Sequence, residues 1–360
     1  MIRLNHCLYG AAISVAAPFF FQSAQLQSQP AADTWTVDTP MVHDPVVAYE
    51  AGTYYLYCTG HGIGQMTSKD LRRWTVYREG VLPAEKIPAW THDSVPGFDS
   101  HIWAPDVFRY RGKWYMAYSC STFGKNTSAI GLLSNTSLAN LDGWKDEGCI
   151  VASRGDRDNW NAIDPNFVLD EKGRPWMTWG SFWDGIQMVQ LDKKTLHVKK
   201  GCRPQTIARR YGTSQTQVPA NPTSRFAGTN AIEAPFIMKH GGWYYLFVSW
   251  DYCCRGAQSN YRVAVGRSRN VAGPYADRSG RPMLEGGGTL LIEGDKKQLE
   301  ALGHCAAYSF PLPAGSAASA GADSSADLFF CHGYSLDKNG ASILVTKKIS
   351  WTSDGWPELK

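Results

Sequence analysis

No Cys-x-x-Cys pair occurs in this chain of 360 residues, and no His and Cys spacing suits a structural zinc ion. A Gly-x-Ser-x-Gly elbow is also absent, which argues against the serine-hydrolase geometry built on that turn. Gly286-Gly287-Gly288 precedes neither a Lys-Ser/Thr pair nor a helical pattern, so it is no phosphate loop. The formal net charge of +4, with Lys and Arg scattered, is too small to mark a nucleic-acid surface. Long stretches of helical period are missing. Beyond the first residues, no apolar run is long enough to span a bilayer.

The N-terminus reads differently. Arg3 supplies a positive charge, Cys7 to Phe21 is largely apolar and uncharged, and Ser23-Ala24 offers small residues for cleavage. Residues 1–24 are therefore expected to be a secretory signal peptide, with an uncleaved anchor as the alternative, and residues 25–34 a flexible lead-in. Removing the signal takes Cys7 and leaves eight of the nine cysteines. An even count in an exported chain permits disulfides. Cys58, Cys120 and Cys331 sit inside aromatic runs, where buried unpaired thiols fit as well. Cys253 and Cys254 are adjacent, so a bridge between them is open but strained.

Aromatic side chains are plentiful, with 14 Trp and 17 Tyr. Flat rings serve strand-rich cores, and they also lie well against sugar faces. Here they fall into a repeated fragment: an acid or Ala before Pro, an apolar run, a short Gly turn, then an aromatic strand. The clear copies open at Asp44-Pro45, Ala104-Pro105, Asp164-Pro165 and Ala234-Pro235. They run into Tyr54-Tyr55-Leu56-Tyr57, Trp114-Tyr115-Met116-Ala117-Tyr118, Trp176-Met177-Thr178-Trp179 and Trp243-Tyr244-Tyr245-Leu246-Phe247. The starts lie 60, 60 and 70 residues apart. A fifth, eroded copy begins at His304 and returns through Leu328-Phe329-Phe330-Cys331-His332. Later runs, such as Ile130 to Ser134 and Arg262 to Ser268, bring each unit to about four strands, the content of a propeller blade. The pattern predicts an all-β, five-bladed β-propeller over residues 35–360, with surface loops at Tyr211 to Ser224 and Ala314 to Ala326.

In a propeller the innermost strand of each blade faces a central channel. Asp44 and Asp164 open two of these strands, and Glu233 stands one residue before the fourth opening, where the second has Trp103. A carboxyl at the start of an apolar strand is costly to bury without partners or a task. One Asp-Pro alone is ordinary turn chemistry. Three acids at equivalent openings predict a site at the channel mouth. Converging carboxylates suit glycoside hydrolysis, in which one acid protonates the leaving oxygen and another activates water or attacks carbon. A third acid holds up the pKa of the proton donor by like-charge repulsion. Metal binding by the same acids is the rival chemistry.

Val42-His43-Asp44-Pro45, Trp103-Ala104-Pro105-Asp106, Asn161-Ala162-Ile163-Asp164-Pro165 and Ile232-Glu233-Ala234-Pro235 resemble the signature blocks of glycoside hydrolase family 43, the five-bladed propeller glycosidases. Gly180-Ser181-Phe182-Trp183-Asp184-Gly185-Ile186, Trp250-Asp251-Tyr252-Cys253-Cys254-Arg255-Gly256, Val265-Gly266-Arg267-Ser268, Gly286-Gly287-Gly288-Thr289 and Gly303-His304 are similar to blocks of its endo-acting α-1,5-L-arabinanases. The resemblance implies inversion at the anomeric carbon, with Asp44 as general base, Glu233 as general acid and Asp164 tuning and positioning Glu233. It also implies that His304 lies on the axis and helps hold a hydrated ion, usually calcium (Ca2+). Cys305 stands where the family usually has a small polar residue.

Trp103, beside the axis, is a candidate sugar platform or a packed ring. Asn161, Ser181 and Trp183 are candidate contacts for arabinose. The expected substrate is arabinan, including pectin side chains, cut internally by a secreted monomer with neither nucleic acid nor membrane as partner. An exo-acting arabinofuranosidase or a β-xylosidase keeps the same fold and acids. A non-catalytic sugar-binding propeller is the reading from another class.

Overall fold

The computed structural model describes residues 33–211, 230–311 and 325–360. The expected signal peptide, nearly all of the lead-in, and most of both expected surface loops lie outside these residues. Five antiparallel sheets follow one another along the chain. Their innermost strands are Val46–Glu50, His101–Tyr110, Asn166–Leu169, Ile232–His240 and Leu299–Pro311. Each of these touches the next, and the last returns to the first, so the sheets form a closed ring of blades. The fold is an all-β five-bladed β-propeller. Among the described residues, no helix is long and apolar enough to cross a membrane.

Why the aromatic runs become strands follows from their neighbours. Every blade is covered on both faces, so its second strand is apolar almost throughout rather than alternating. Trp243–Trp250 is buried at every position after the first, and Thr53–Cys58 likewise. Facing blades share the resulting cores. Phe247 and Val265 of the fourth blade pack with Ala306 and Phe329 of the fifth. Ile130, Leu132 and Ala117 of the second pack with Phe167, Met177 and Val189 of the third. Burying a Phe such as Phe247 stabilises the ring by roughly 1.5–3 kcal/mol.

Polar ties supplement these cores near the axis. The Asp106 carboxylate accepts the Phe167 N–H at 2.7 Å and the Asn166 side-chain amide at 3.3 Å, joining the second blade to the third. Asn166 Oδ1 in turn accepts the Ile237 N–H of the fourth at 2.8 Å. The ring closes at the N-terminus. Thr34–Val37 pairs with Trp74–Tyr77 as the outer edge of the first blade. The following residues cross to the fifth, where Leu344 N–H donates to the Pro40 carbonyl (2.9 Å) and Val42 N–H to Ser342 (3.2 Å). Four strands per blade hold in the last three sheets, whereas the first two have five. The extra strands are that N-terminal segment and the short Gly60–His61, which pairs with His101 and Ile102.

Candidate active site

The five blade openings share one backbone conformation. Asp44 (φ 54°), Ala104 (42°), Asp164 (61°), Ala234 (53°) and His304 (48°) are all left-handed, which is uncommon for residues other than glycine. Register shifts follow in the second, fourth and fifth blades, between Trp103 and Asp106, Glu233 and Phe236, and Gly303 and Ala306. Such bulges bend a strand and re-aim its side chains. At the first, third and fifth openings the left-handed residue is itself Asp44, Asp164 or His304. At the second and fourth, the preceding residue is Trp103 or Glu233.

Strain of this kind persists only where surroundings hold it. Here the holding groups form a second ring. The N–H of each left-handed residue donates to a side chain from the blade before it: Ala104 to Thr59 Oγ1 (2.8 Å), Asp164 to Ser119 Oγ (3.0 Å), His304 to Ser249 Oγ (2.8 Å) and Asp44 to His332 Nδ1 (3.1 Å). The third blade breaks the pattern. Its matching position is Gly180, at φ 134°, where a Cβ would lie 2.5 Å from the Gly185 carbonyl oxygen. With no side chain available there, the Ala234 N–H donates to Asp164 Oδ2 instead, at 3.1 Å. Asp164 is thereby fixed beside Glu233.

The three acids open into one cavity of about 860 Å³. Their environments differ. Burial works to raise the Asp44 pKa, but the facing His304 and His43 outweigh it and hold the carboxyl well below the usual range. His304 Nδ1 lies 3.1 Å and His43 Nδ1 3.0 Å from Asp44 Oδ1, while the Thr59 hydroxyl donates to Oδ2 at 2.5 Å. Burial also works against charge on both imidazoles, yet Asp44 raises His43 to about 10 and, with Asp164 and Glu233, raises His304 to about 9. His332 is fully buried and held neutral by that burial and by His43, consistent with Nδ1 accepting the Asp44 N–H.

Asp164 and Glu233 behave in the opposite way. Burial raises both. The Asp164 carboxyl is pushed well up, with the charges of Glu233 and Asp44 adding to burial. Glu233 rises despite hydrogen bonds from Ser181, at 2.6 Å, and Tyr261. Two close carboxyls out of water cannot both ionise readily, so the pair keeps a proton that Asp44 has lost. A carboxyl held toward its ionised form and a carboxyl pair held toward its protonated form line one cavity.

The same architecture is found in known proteins. The model for glycosyl hydrolases family 43 matches residues 37–357. The chain belongs to this family. It is 39% identical over 321 residues to the extracellular exo-α-(1→5)-L-arabinofuranosidase ArbA of Cellvibrio japonicus (strain Ueda107), covering 88% of this chain and 86% of that protein. It is 35% identical over 354 residues to the extracellular endo-α-(1→5)-L-arabinanase 1 of Bacillus subtilis (strain 168), covering 97% and 96%. A solved exo-1,5-α-L-arabinanase from a bovine ruminal metagenomic library is 50% identical, with a TM-score of 0.78 over 90% of this chain and 98% of the other.

In this family 43 chain the cavity gathers every residue singled out from sequence: Asp44, Asp164, Glu233, Trp103, Asn161, Ser181, Trp183 and His304 all line it. Their polar atoms are differently engaged. The Ser181 hydroxyl is given to Glu233, and Asn161 Oδ1 accepts the Ser128 hydroxyl at 2.7 Å. Trp103 is half-buried, its indole N–H donating to His101 Nδ1 at 3.1 Å. Trp183 is buried at φ 42°.

Sequence reasoning passed over His43, Thr59, His332 and Tyr261, which hold the acids, and Phe123, 75% exposed on the cavity wall. His43 was readable as the neighbour of Asp44 in its block. Thr59 and His332 follow from the repeat, as matching positions at the ends of two aromatic runs.

The resemblance implied calcium at His304. The donors that the structure gathers are instead His43, Asp44 and His332, one atom of each lying within 4.8 Å of the others. Calcium takes about six to eight oxygen ligands. Two imidazoles and a carboxylate already bonded to Thr59 do not fit a dehydrated calcium ion, and no catalytic step is assigned to a metal.

Proposed function

We propose that this protein hydrolyses α-1,5-L-arabinofuranosidic links of arabinan by single displacement with inversion. The observation that carries this is the convergence of Asp44, Asp164 and Glu233 in one cavity, where their surroundings push the Asp44 pKa down and those of the pair up. Asp44 takes a proton from water as the water oxygen attacks the anomeric carbon. Glu233 delivers its proton to the departing glycosidic oxygen as that bond breaks. Asp164, held by the Ala234 N–H, keeps the Glu233 pKa up and its carboxyl aimed. Half-buried Trp103 offers ring surface to the sugar, with buried Trp183 backing the same wall and Asn161 and Ser181 setting its polar edge.

Arabinan enters through the relatives, whose names carry it on both sides of the endo and exo divide. The sequence blocks led to an expectation of internal cleavage. The exo-named relatives are the more identical ones, at 39% and 50% against 35%, and favour release from a chain end. Internal cleavage is the second reading, supported by a relative matched over 97% of the chain. Early products from linear arabinan decide: a product of a single size, monosaccharide included, means chain-end release, and a spread of oligomer sizes means internal cleavage. Proton NMR of the first product reads the anomer, and retention would overturn the displacement.

The working form is a secreted monomer acting on pectin side chains, as the extracellular relatives suggest, and sizing of the culture-medium protein tests it. A hydrated calcium ion that keeps its water-oxygen shell would rest on neutral His304 and displace the proton that the acids hold there, so that ion and proton compete for this imidazole. Chelation should then lower the melting temperature, and calcium should restore it.

A further inference from the structure

Cys253 and Cys254 follow the strand Trp243–Trp250 and form part of the cavity wall. Both are free thiols, hydrogen-bonded to each other, with Cys254 exposed at φ 64° and Cys253 half-buried behind it. The peptide between them is tied to the site. Its N–H, that of Cys254, donates to Tyr334 Oη at 2.7 Å. Tyr334 Oη lies 2.8 Å from His43 Nε2, and His43 Nδ1 lies 3.0 Å from Asp44 Oδ1. A short chain of hydrogen bonds therefore runs from the inter-cysteine peptide to the carboxylate assigned above as base.

We propose that Cys253 and Cys254 are an oxidisable dithiol site for disulfide-class oxidants, whose closure to a vicinal disulfide loosens Asp44 through Tyr334 and His43. The exposed Cys254 gives up its proton and its sulfur attacks one sulfur of the oxidant, forming a mixed disulfide and releasing the first thiol. Cys253 then loses its proton and attacks the Cys254 sulfur, and the bond to the oxidant breaks to release the second thiol. The protein loses two hydrogens and the oxidant gains them. The new ring contains the peptide bond that carries the Cys254 N–H, so closure turns that N–H away from Tyr334.

The other described cysteines do not compete. Cys58, Cys120, Cys305 and Cys331 are buried, and Cys149 and Cys202 are half-buried outside the cavity.

The effect on rate rests on Asp44 as base; the chemistry of the dithiol does not. The folded protein is treated with oxidised glutathione, digested, and the 253–254 peptide weighed, alongside kcat/KM on linear arabinan. Loss of two hydrogens from that peptide, about a tenfold fall in kcat/KM, and recovery with dithiothreitol are expected. Because the Cys254 thiol also bonds His43 directly, Tyr334→Phe should still close the disulfide and show part, but not all, of the rate loss seen in the native protein. Failure of the mass change overturns the proposal whatever the substrate proves to be. A closed disulfide with unchanged rate, or Cys253→Ser retaining wild-type sensitivity, overturns it as well.

Discussion

Asp164 accepts the Ala234 N–H at 3.1 Å, doing at one blade opening what Thr59, Ser119 and Ser249 hydroxyls do at three others. The substitution is forced from the third blade, where Gly180 has no room for a side chain. A structural bond shared by the whole ring is thus used once to seat a carboxylate beside Glu233. On the proposed mechanism, the residue that tunes the acid also holds the backbone on which the acid is mounted.

Asp164→Asn separates these two roles. The amide oxygen still accepts the Ala234 N–H, but the second carboxyl that shares the pair's proton is gone. The basic limb of the kcat/KM profile should move to lower pH, with melting temperature little changed. Asp164→Ala should lose both, with kcat falling about a hundredfold or more. An unmoved basic limb in Asp164→Asn would refute the tuning role.

The pH window follows from the same opposed shifts. On the proposed mechanism activity needs Asp44 ionised, and its carboxyl is held well below the usual range, so the acid limb should lie under that of an ordinary aspartate. Activity also needs a proton on the Asp164–Glu233 pair, whose pKa values are raised, so it persists as pH rises and fails only through the elevated value. Glu233→Gln should be nearly inactive on arabinan but keep much of its rate on an aryl arabinofuranoside, whose leaving group needs no proton. Asp44→Asn should fail on both. Equal losses on the two substrates in Glu233→Gln would exclude it as the acid.

Gly303 makes a different test, because it does not line the cavity. A Cβ there would lie 2.1 Å from the Tyr261 ring, and Tyr261 bonds Glu233. Gly303→Ala should push the ring aside and lower kcat, and Tyr261→Phe should reproduce that loss while folding normally. A fully active Tyr261→Phe would assign the cost of Gly303→Ala to the backbone alone.

Much of this was legible beforehand because the repeat is local. Each copy must start, turn and return within its own blade, so Asp44, Asp164 and Glu233 announce equivalent places without any knowledge of distant contacts. The groups that hold them come from the preceding blade. The repeat marks the position of His332, but its bond to Asp44 spans 288 residues and only ring closure brings the two together. Extra strands in the first two blades were unreadable for a similar reason, since Gly60–His61 pairs only with the start of the second blade's inner strand, at His101 and Ile102. The left-handed φ at Ala104 and Ala234 runs against local preference and is imposed by the ring.

Asp106 offers the last test, on stability rather than rate. It is almost wholly buried on an inner strand, and burial pushes its pKa up to about 7 despite the hydrogen bonds it accepts from Phe167 and Asn166. A carboxyl raised in the fold favours the protonated state there. Its contribution is therefore fully present below the ordinary aspartate pKa, near 4, and is lost as pH rises from there through 7. A shift of this size corresponds to stability on the order of 4 kcal/mol across that interval. Asp106→Asn keeps an acceptor for the Phe167 N–H and cannot ionise. Its melting temperature should fall less than that of the native protein between pH 4 and pH 8, and the two curves should converge toward pH 4. Parallel curves over the whole range would mean that Asp106 carries the same charge in the folded ring as in the open chain.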